Sequence, residues 1–345
     1  MDKNLNPISS IGEFGLIDKL TKDISIKHKS TYKGIGDDAA VINKGNLETV
    51  LSTDMLIEGI HFDMVFTPLK HLGYKAVAVN VSDICAMNAT PTQVLVSIAI
   101  SSKYSLEAIE EIYDGIKHAA KIYQLDIIGG DITTNPSGLA ISITAIGEAE
   151  KDELVYRTGA KENDLIVVTG DLGGAYMGLN VLRREKEVWE SNPTIQPDLS
   201  GNDYILERQL KPEARIDVIK LLKELKIKPS SMIDISDGLA SEIIHLCTQS
   251  KKGCQLFEEK FPIDHATHST ALEFNLNPTT CALNGGEDYE LLFTISQNDF
   301  DKIKNHPDLT AIGHACDKKT GCQMITGLGQ QIELTAQGWQ SFSKI

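Results

Sequence analysis

Hydrophobic and polar positions along this chain follow two different periods, and the period switches several times. Short runs rich in β-branched residues predict strands: TVLSTD (49–54), TQVLVSIAIS (92–101), DIIGGD (126–131) and LAISITAIGEA (139–149). Between them lies SLEAIEEIYDGIKHAAKIY (105–123), where Leu106, Ile109, Ile112, Ile116 and Ala120 recur at steps of three or four. Glu107, Glu110, Glu111 and Lys117 fill the opposite face, so the spacing predicts an amphipathic helix. The stretch HLGYKAVAVNVSDICAMNA (71–89) is ambiguous: its valines alternate as in a strand, while its length and its Ala and Met content suit a helix. Strands interleaved with helix-length segments define an α/β or α+β fold.

A second unit begins near residue 152. RTGAKENDLIVVTGDLGGAYMGLNVL (157–182) reads as a Gly-containing turn, an apolar strand, a Gly-rich turn and a helix. SNPTIQPDLSGND (191–203) reads as an exposed loop. A helix over 213–226, the strand SMIDIS (231–236) and the helix GLASEIIHLCTQS (238–250) follow, with further strands near 254, 281 and 290. The chain, at 345 residues, is longer than a single hydrophobic core usually grows, and 41% hydrophobic residues suffice for two cores. Two domains are expected, 1–151 and 152–345.

Charge narrows the partners. With 33 Lys+Arg against 48 Asp+Glu, the formal charge of -15 opposes nucleic acid and anionic membranes, and no basic patch offsets it. The N-terminal MDKNLNPISSIGEFGLIDKL lacks the basic start and apolar core of a secretory signal, and no apolar run approaches the roughly 18 residues of a membrane span. A cytoplasmic location is expected. The six cysteines form no CxxC pair and match no zinc or disulfide spacing, so they read as reduced thiols, several of them in the core.

Candidate chemistry lies where apolar runs end in Asp beside Gly, Ser or Thr. Five segments share this form: GIGDDAAV (34–41), LSTDM (51–55), NVSDI (80–84), IGGDITT (128–134) and IDISDGL (233–239). Strand ends are where α/β proteins place ligands, and Gly lets backbone approach a phosphate closely. Carboxylates facing a phosphate require cations between them, since two like charges about 4 Å apart repel by about 4 kcal/mol at an effective dielectric near 20. Hard oxygen donors specify magnesium or a similar ion. Any one of these Asp residues can equally cap a helix or shape a turn. Spacing does not choose between Asp37 and Asp38.

Several other motifs are excluded. GIGDDA matches a loose GxGxxG/A fingerprint, but it follows no clear strand and sets two acids where a pyrophosphate should meet bare N–H groups. No GxxxxGK[ST], HRD or DFG occurs, so phosphoryl transfer here must use another fold. His61 in EGIHFD reads as a structural residue or a ligand contact, and Glu287 in GGEDYELLF as a turn residue or a contact. Arg157 suits either a phosphate or a neighbouring acid, and Trp339 either packing or stacking on a flat ligand.

Taken in order, GEFGLID (12–18), GIGDDAAV, STDMLIEGIHF (52–62), YKAVAVNVSDICAM (74–87), IGGDITT, RTGAK (157–161), DISDGL and GGEDYELLF resemble the motif series of the thiamine-monophosphate kinase family, over about residues 12–342. Single motifs recur across the wider aminoimidazole ribonucleotide synthetase and selenophosphate synthetase superfamily, whereas STDMLIEGIHF with GGEDYELLF points to this member. The resemblance implies a two-domain aminoimidazole ribonucleotide synthetase-like fold. It implies transfer of the ATP γ-phosphoryl group to thiamine monophosphate with several Mg2+ ions, no phosphoenzyme and no general base. A homodimer paired through its N-terminal sheets is implied as well, with ATP near the interface and 71–89 a helix carrying Asp83.

Position by position, the resemblance implies Asp38, Ser52, Thr53, Asp54, Asp83, Asp131, Asp234 and Asp237 as metal ligands. Gly130, Asp131, Arg157, Ser236 and Tyr113 correspond to ATP contacts, and His61, Glu287 and Trp339 to substrate contacts. The acids come from both halves of the chain, which predicts a site that forms only once both are folded. Two other readings stand beside this one: another ATP-using synthetase of the superfamily, and a non-catalytic Mg-nucleotide-binding protein.

Overall fold

The computed structural model describes residues 19–33, 41–42 and 47–337. The chain divides into two compact units, one comprising residues up to Ile84 together with Ala89–Asp152, the other Cys85–Asn88 together with Glu153 onward. A two-stranded ribbon, β1 (Thr31–Lys33) and β2 (Val41–Ile42), precedes the main sheet of the first unit. That sheet holds β3 (Glu48–Ile57), β4 (Thr90–Ile100), β5 (Asp126–Thr134) and β6 (Leu139–Ala149) in the spatial order β3-β6-β4-β5. β3 and β6 pair antiparallel without a slip from Glu48↔Ala149 to Ile57↔Ala140. β4 runs antiparallel to β6 and parallel to β5.

A parallel pair needs a crossover, and the amphipathic helix α2 (Leu106–Ile122) makes it. Ser105 caps its start by accepting from the Ala108 N–H at 3.2 Å, and Leu106, Ile109, Ile112 and Ile116 are buried. The ambiguous stretch 71–89 lies largely in a second helix, α1 (Leu69–Ala86). Its ambiguity has a physical cause. Leu72, Lys75, Val77, Asn80, Val81, Ser82 and Ile84 are each at most 3% exposed, and a helix buried all round carries no polar stripe for periodicity to detect. The two helices touch backbone to backbone: a Cβ added at Gly73 would lie 1.9 Å from the Ile112 carbonyl oxygen, and one at Gly115 2.0 Å from that of Lys70.

The two sheet faces differ in kind. Val94, Val96, Ile98, Ile141 and Ile143 are buried on the helix-covered face. The alternate positions, Leu51, Thr53, Met55 and Ile57 on β3, Ala140, Ser142 and Thr144 on β6, and Ser97 and Ala99 on β4, share the opposite face by register. Every one of them is half-buried or exposed.

The second unit carries a seven-stranded mixed sheet in the order β13-β12-β9-β11-β7-β10-β8. Its strands are β7 (Leu165–Thr169), β8 (Ser231–Asp234), β9 (Gly253–Phe257), β10 (Leu291–Ile295), β11 (Leu309–Cys316), β12 (Cys322–Ile325) and β13 (Gln331–Glu333). Among the described residues of this sheet, only β9 and β12 pair in parallel. Helices α3 (Gly174–Ser191), α4 (Asp203–Leu210), α5 (Ile216–Glu224), α6 (Leu239–Ser250), α7 (His265–Glu273) and α8 (Pro278–Asn284) complete it. Ile166, Val168, Ile233, Leu239, Ile243, Leu256 and Leu292 form its buried core.

The strand expected near 281 is instead α8. Asn277 accepts from the Thr279 and Thr280 N–H groups and Pro278 opens the first turn, so a cap overrides the short apolar run CALN. The expected loop at 191–203 is exposed from Ser191 to Gly201. Among the described residues, no helix is long and apolar enough to cross a membrane.

Candidate active site

In the first unit, β3 and α1 position a first group of the candidate residues. Asp83, on the last full turn of α1, accepts from Ser52 Oγ at 2.5 Å. Three residues earlier in α1, Asn80 is fixed by donating to the Ala76 carbonyl (2.9 Å), and it accepts the Asp54 N–H at 2.8 Å. Ser52 and Asp54 therefore face the helices, while Thr53 between them faces the open side of the sheet. The Thr53 hydroxyl donates to the Ile143 carbonyl and accepts from Thr144 Oγ1, both at 3.0 Å. Just beyond β3, His61 Nδ1 accepts from the Ile57 N–H at 3.0 Å. That contact places the proton of a neutral ring on Nε2.

β5 carries Gly130 and Asp131. Gly130 has φ 157° and a Cβ there would fall 1.7 Å from the Val96 carbonyl oxygen, so only glycine fits. Asp131 is exposed and pairs with Ser97, whose partner across β6 is Ser142. It shares the open face with Thr53, but from the other edge of the sheet, three inter-strand spacings or about 14 Å away. Tyr113 is 5% exposed within the buried stripe of α2, and burial pushes its hydroxyl up to about 12. Packing alone accounts for its place on that helix.

In the second unit, β8 ends at Asp234, 4% exposed, and the turn Ile235–Gly238 leads into α6. The segment Gly285–Glu290 clamps that turn. Glu287 N–H donates to the Ser236 carbonyl (2.7 Å), Tyr289 N–H to that of Ile235 (2.8 Å), and Ile235 N–H to that of Glu290 (2.7 Å). The clamp holds two non-glycine residues in the left-handed region, Glu287 at φ 58° and Tyr289 at φ 52°, each costing about 1–2 kcal/mol. Strain of this kind collects at sites where geometry is over-determined. The Glu287 carboxylate accepts from Gln209 Nε2 at 2.8 Å.

One residue of this site escaped sequence reasoning. Glu242, in the first turn of α6, is 3% exposed and accepts the Asp237 N–H at 3.2 Å. Burial, with the charges of Asp237 and Asp234 adding to it, pushes its carboxyl up to about 8. The available signal was an acid five residues after Asp237, indistinguishable in sequence from an ordinary first-turn glutamate.

Arg157 is exposed and makes no ion pair among the described residues. Its flanking residues Tyr156 and Thr158 line a cleft of about 300 Å³ together with Lys161, Lys228 and Ser230. That setting suits an anion better than it suits a neighbouring acid. Asp37, Asp38, Trp339 and the motif 12–18 lie outside the described residues.

Donor chemistry fits magnesium. The sites present carboxylate and hydroxyl oxygens, the Ser52–Asp83 contact and Glu242 with its buried, unpartnered Oε2 among them. The described residues do not, however, present three carboxylate oxygens within 4.8 Å of one another.

Comparison with known proteins decides the family. A family profile described as "AIR synthase related protein, N-terminal domain" matches residues 36–149. Thiamine-monophosphate kinase of Bacillus subtilis (strain 168) is 36% identical over 336 residues, covering 96% of this chain and 99% of that protein. The chain belongs to the thiamine-monophosphate kinase family. A solved structure described as "AaThiL complexed with AMPPCP and TMP" matches with a TM-score of 0.75 at 32% identity, covering 99% of this chain and all of that one. Thiamine-monophosphate kinase from Stenotrophomonas maltophilia K279a matches with a TM-score of 0.76 at 29% identity, over 94% and 98% of the two chains. The family's two-domain α/β fold is thus the fold of this chain.

Proposed function

We propose that this protein transfers the γ-phosphoryl group of ATP to thiamine monophosphate, forming thiamine diphosphate and ADP. The observation that carries the reading is whole-length family membership, 36% identity over 96% of the chain, together with a structural relative described as bound to AMPPCP and TMP. An oxygen of the acceptor phosphate attacks the γ-phosphorus in line. The new P–O bond forms as the bond to the β-phosphate oxygen breaks, and ADP leaves. The acceptor is already ionised near neutral pH, so no general base is assigned, and positioning with charge neutralisation supplies the catalysis.

Asp54, Asp83, Asp131, Asp234 and Asp237, with Ser52, Thr53 and Asp38, are the proposed holders of Mg2+. Neutralisation of two mutually repelling phosphates is the chemistry that ion supplies when bound. Gly130, whose identity is set by the close Val96 carbonyl, and the exposed Arg157, whose neighbours Tyr156 and Thr158 line the cleft with Lys161 and Lys228, are proposed ATP contacts, with Ser236 and Tyr113 the further ones. His61, Glu287 and Trp339 are the proposed contacts of thiamine monophosphate. A neutral His61 ring with Nδ1 accepting from Ile57 carries its proton on Nε2, the donor proposed for a phosphate oxygen.

Residues 1–151 form the proposed nucleotide, magnesium and pairing domain, and 152–345 complete the substrate site. We infer a homodimer, because Thr53 and Asp131 occupy opposite edges of one open sheet face and a second copy across that face supplies the missing edge. A cytoplasmic location is proposed with this activity. The test is to incubate purified protein with ATP, Mg2+ and thiamine monophosphate and to quantify thiamine diphosphate and ADP by chromatography. Thiamine diphosphate no higher than in an enzyme-free control would overturn the assignment.

A further inference from the structure

Sequence spacing separates Cys247, Cys254 and Cys322, yet the fold of the second unit brings them together. Cys254 on β9 and Cys322 on β12 are register partners in a parallel pair of that sheet, so their side chains leave it on the same face. Cys247 comes from the last turn of α6. The three Sγ atoms lie within 4.8 Å of one another, the only such trio of Cys, His, Asp or Glu ligand atoms among the described residues. Around them lie Ile243, Leu246, Leu256 and Met324. Cys254 is fully buried and Cys247 2% exposed, whereas Cys322 is half-buried and is the most accessible residue of the trio. Cys316 is excluded: its neighbour Ala315 pairs with Cys254, so Cys316 points to the other face.

We propose that Cys247, Cys254 and Cys322 form a binding site for one soft divalent metal ion of the zinc type, separate from the magnesium chemistry of the phosphate site. Thiolate sulfurs about 2.3 Å from a shared metal sit roughly 4 Å apart, so the observed trio needs a contraction of less than about 1 Å, within reach of small side-chain adjustments. Softness excludes Mg2+, which takes oxygen donors. Charge selects between soft ions. Three thiolates around a divalent ion leave one net negative charge in an apolar pocket, and around a monovalent ion they leave two, which burial penalises more steeply. On binding, three S–H bonds break, three protons pass to solvent, and three sulfur–metal bonds form with no change in oxidation state. A water molecule would complete a four-coordinate site.

Such an ion would tie the end of α6 to two strands, and its binding would stabilise the fold by mass action. The experiment titrates the full-length, reduced protein with Cd2+ in Mg2+-containing buffer, following thiolate-to-metal charge-transfer absorption. Saturation at one equivalent is expected, with Zn2+ competing the band away and the thermal midpoint rising. Losing one of a few ligands in a site of this strength predicts about a hundredfold or greater loss of affinity in Cys322→Ala. Cys316→Ser and Cys281→Ser should bind as the parent does. A second measurement needs no variant: Cd2+ should protect Cys322 from iodoacetamide, as read by peptide mass spectrometry. No saturating band, an undiminished band in Cys322→Ala, or alkylation of Cys322 at the same rate with and without Cd2+ would each overturn the site.

Discussion

Asp83 shows how one side chain can be structurally light and chemically heavy. It is half-buried and accepts the Ser52 hydroxyl, a bond that an asparagine oxygen accepts equally well. Asp83→Asn therefore keeps the shape and the hydrogen bond, and its stability cost should stay within about 1 kcal/mol. What it removes is the negative charge, and loss of one preorganised electrostatic contact typically costs about a hundredfold or more in rate. We expect turnover at limiting Mg2+ to fall by that order while the thermal midpoint barely moves. Steady-state rates across a magnesium series, alongside a melting curve, decide it; near-parental activity would remove Asp83 from the ligand set. The motif NVSDI made this residue legible, because an apolar run ending in Asp is visible in one dimension. Glu242 was not, because its significance comes from burial beside Asp234 and Asp237, and burial of a first-turn glutamate leaves no mark in the sequence.

Among elements, the segment leading into β10, α4, the start of α5 and the end of β7 with its following turn meet in a buried charge network. Glu290, 1% exposed, accepts from Arg208 Nη1 (2.9 Å), Arg215 Nη1 (2.7 Å) and Thr169 Oγ1 (2.5 Å). Asp288, also 1% exposed, accepts the Gly173 N–H at 2.8 Å. Asp171 joins them through Tyr204 and the charge of Arg208. Three acids face two guanidiniums here, and burial pushes the Asp288 carboxyl up to about 7. Its folded value is raised above the ordinary carboxylate value, so the stability tied to its proton is fully present below about pH 4 and is lost as pH rises through about 7. Asp288→Asn cannot titrate. Its stability relative to the parent should therefore improve by on the order of 2–4 kcal/mol between about pH 5 and about pH 8, as measured by urea denaturation. Parallel curves for the two proteins across that range would refute the assignment. None of this network was readable beforehand, because its members are spread from residue 169 to 290 and meet only through the fold. Local order was more legible: strands 92–101 and 139–149 and the helix at 105–123 follow from periodicity alone. Periodicity left 71–89 undecided because all-round burial erases the period, and the helix implied there by the family resemblance is the one observed; at 281 the expected strand is absent because a cap outweighs a short apolar run.

For the whole molecule, the four-stranded sheet poses the question that its sequence could only hint at. Its open face exposes Leu51 (62%), Met55 (54%) and Ile57 (40%) in a row along β3. Beside them run Ala140, Ser142, Thr144, Ser97 and Ala99, small and uncharged, in a chain whose net charge is -15. Two copies carrying that charge repel one another, so a face cleared of charge except at Asp131 and Glu148 is where they could meet with least opposition. A contiguous apolar row on an uncovered sheet is also the kind of surface that marks an interface. Self-association across this face would be isologous, setting the Thr53 edge of one copy against a partner with the same open face and the same Asp131 edge. Met55→Asp tests this cleanly, because Met55 is exposed in the single chain and its replacement should leave the monomer folded. We expect the parent protein to sediment as two chains and Met55→Asp as one, with unchanged far-ultraviolet circular dichroism and a parallel loss of thiamine diphosphate formation. A parent that sediments as a single chain at assay concentration, while fully active, would show that the edges need no second copy and that Thr53 and Asp131 do not serve one site.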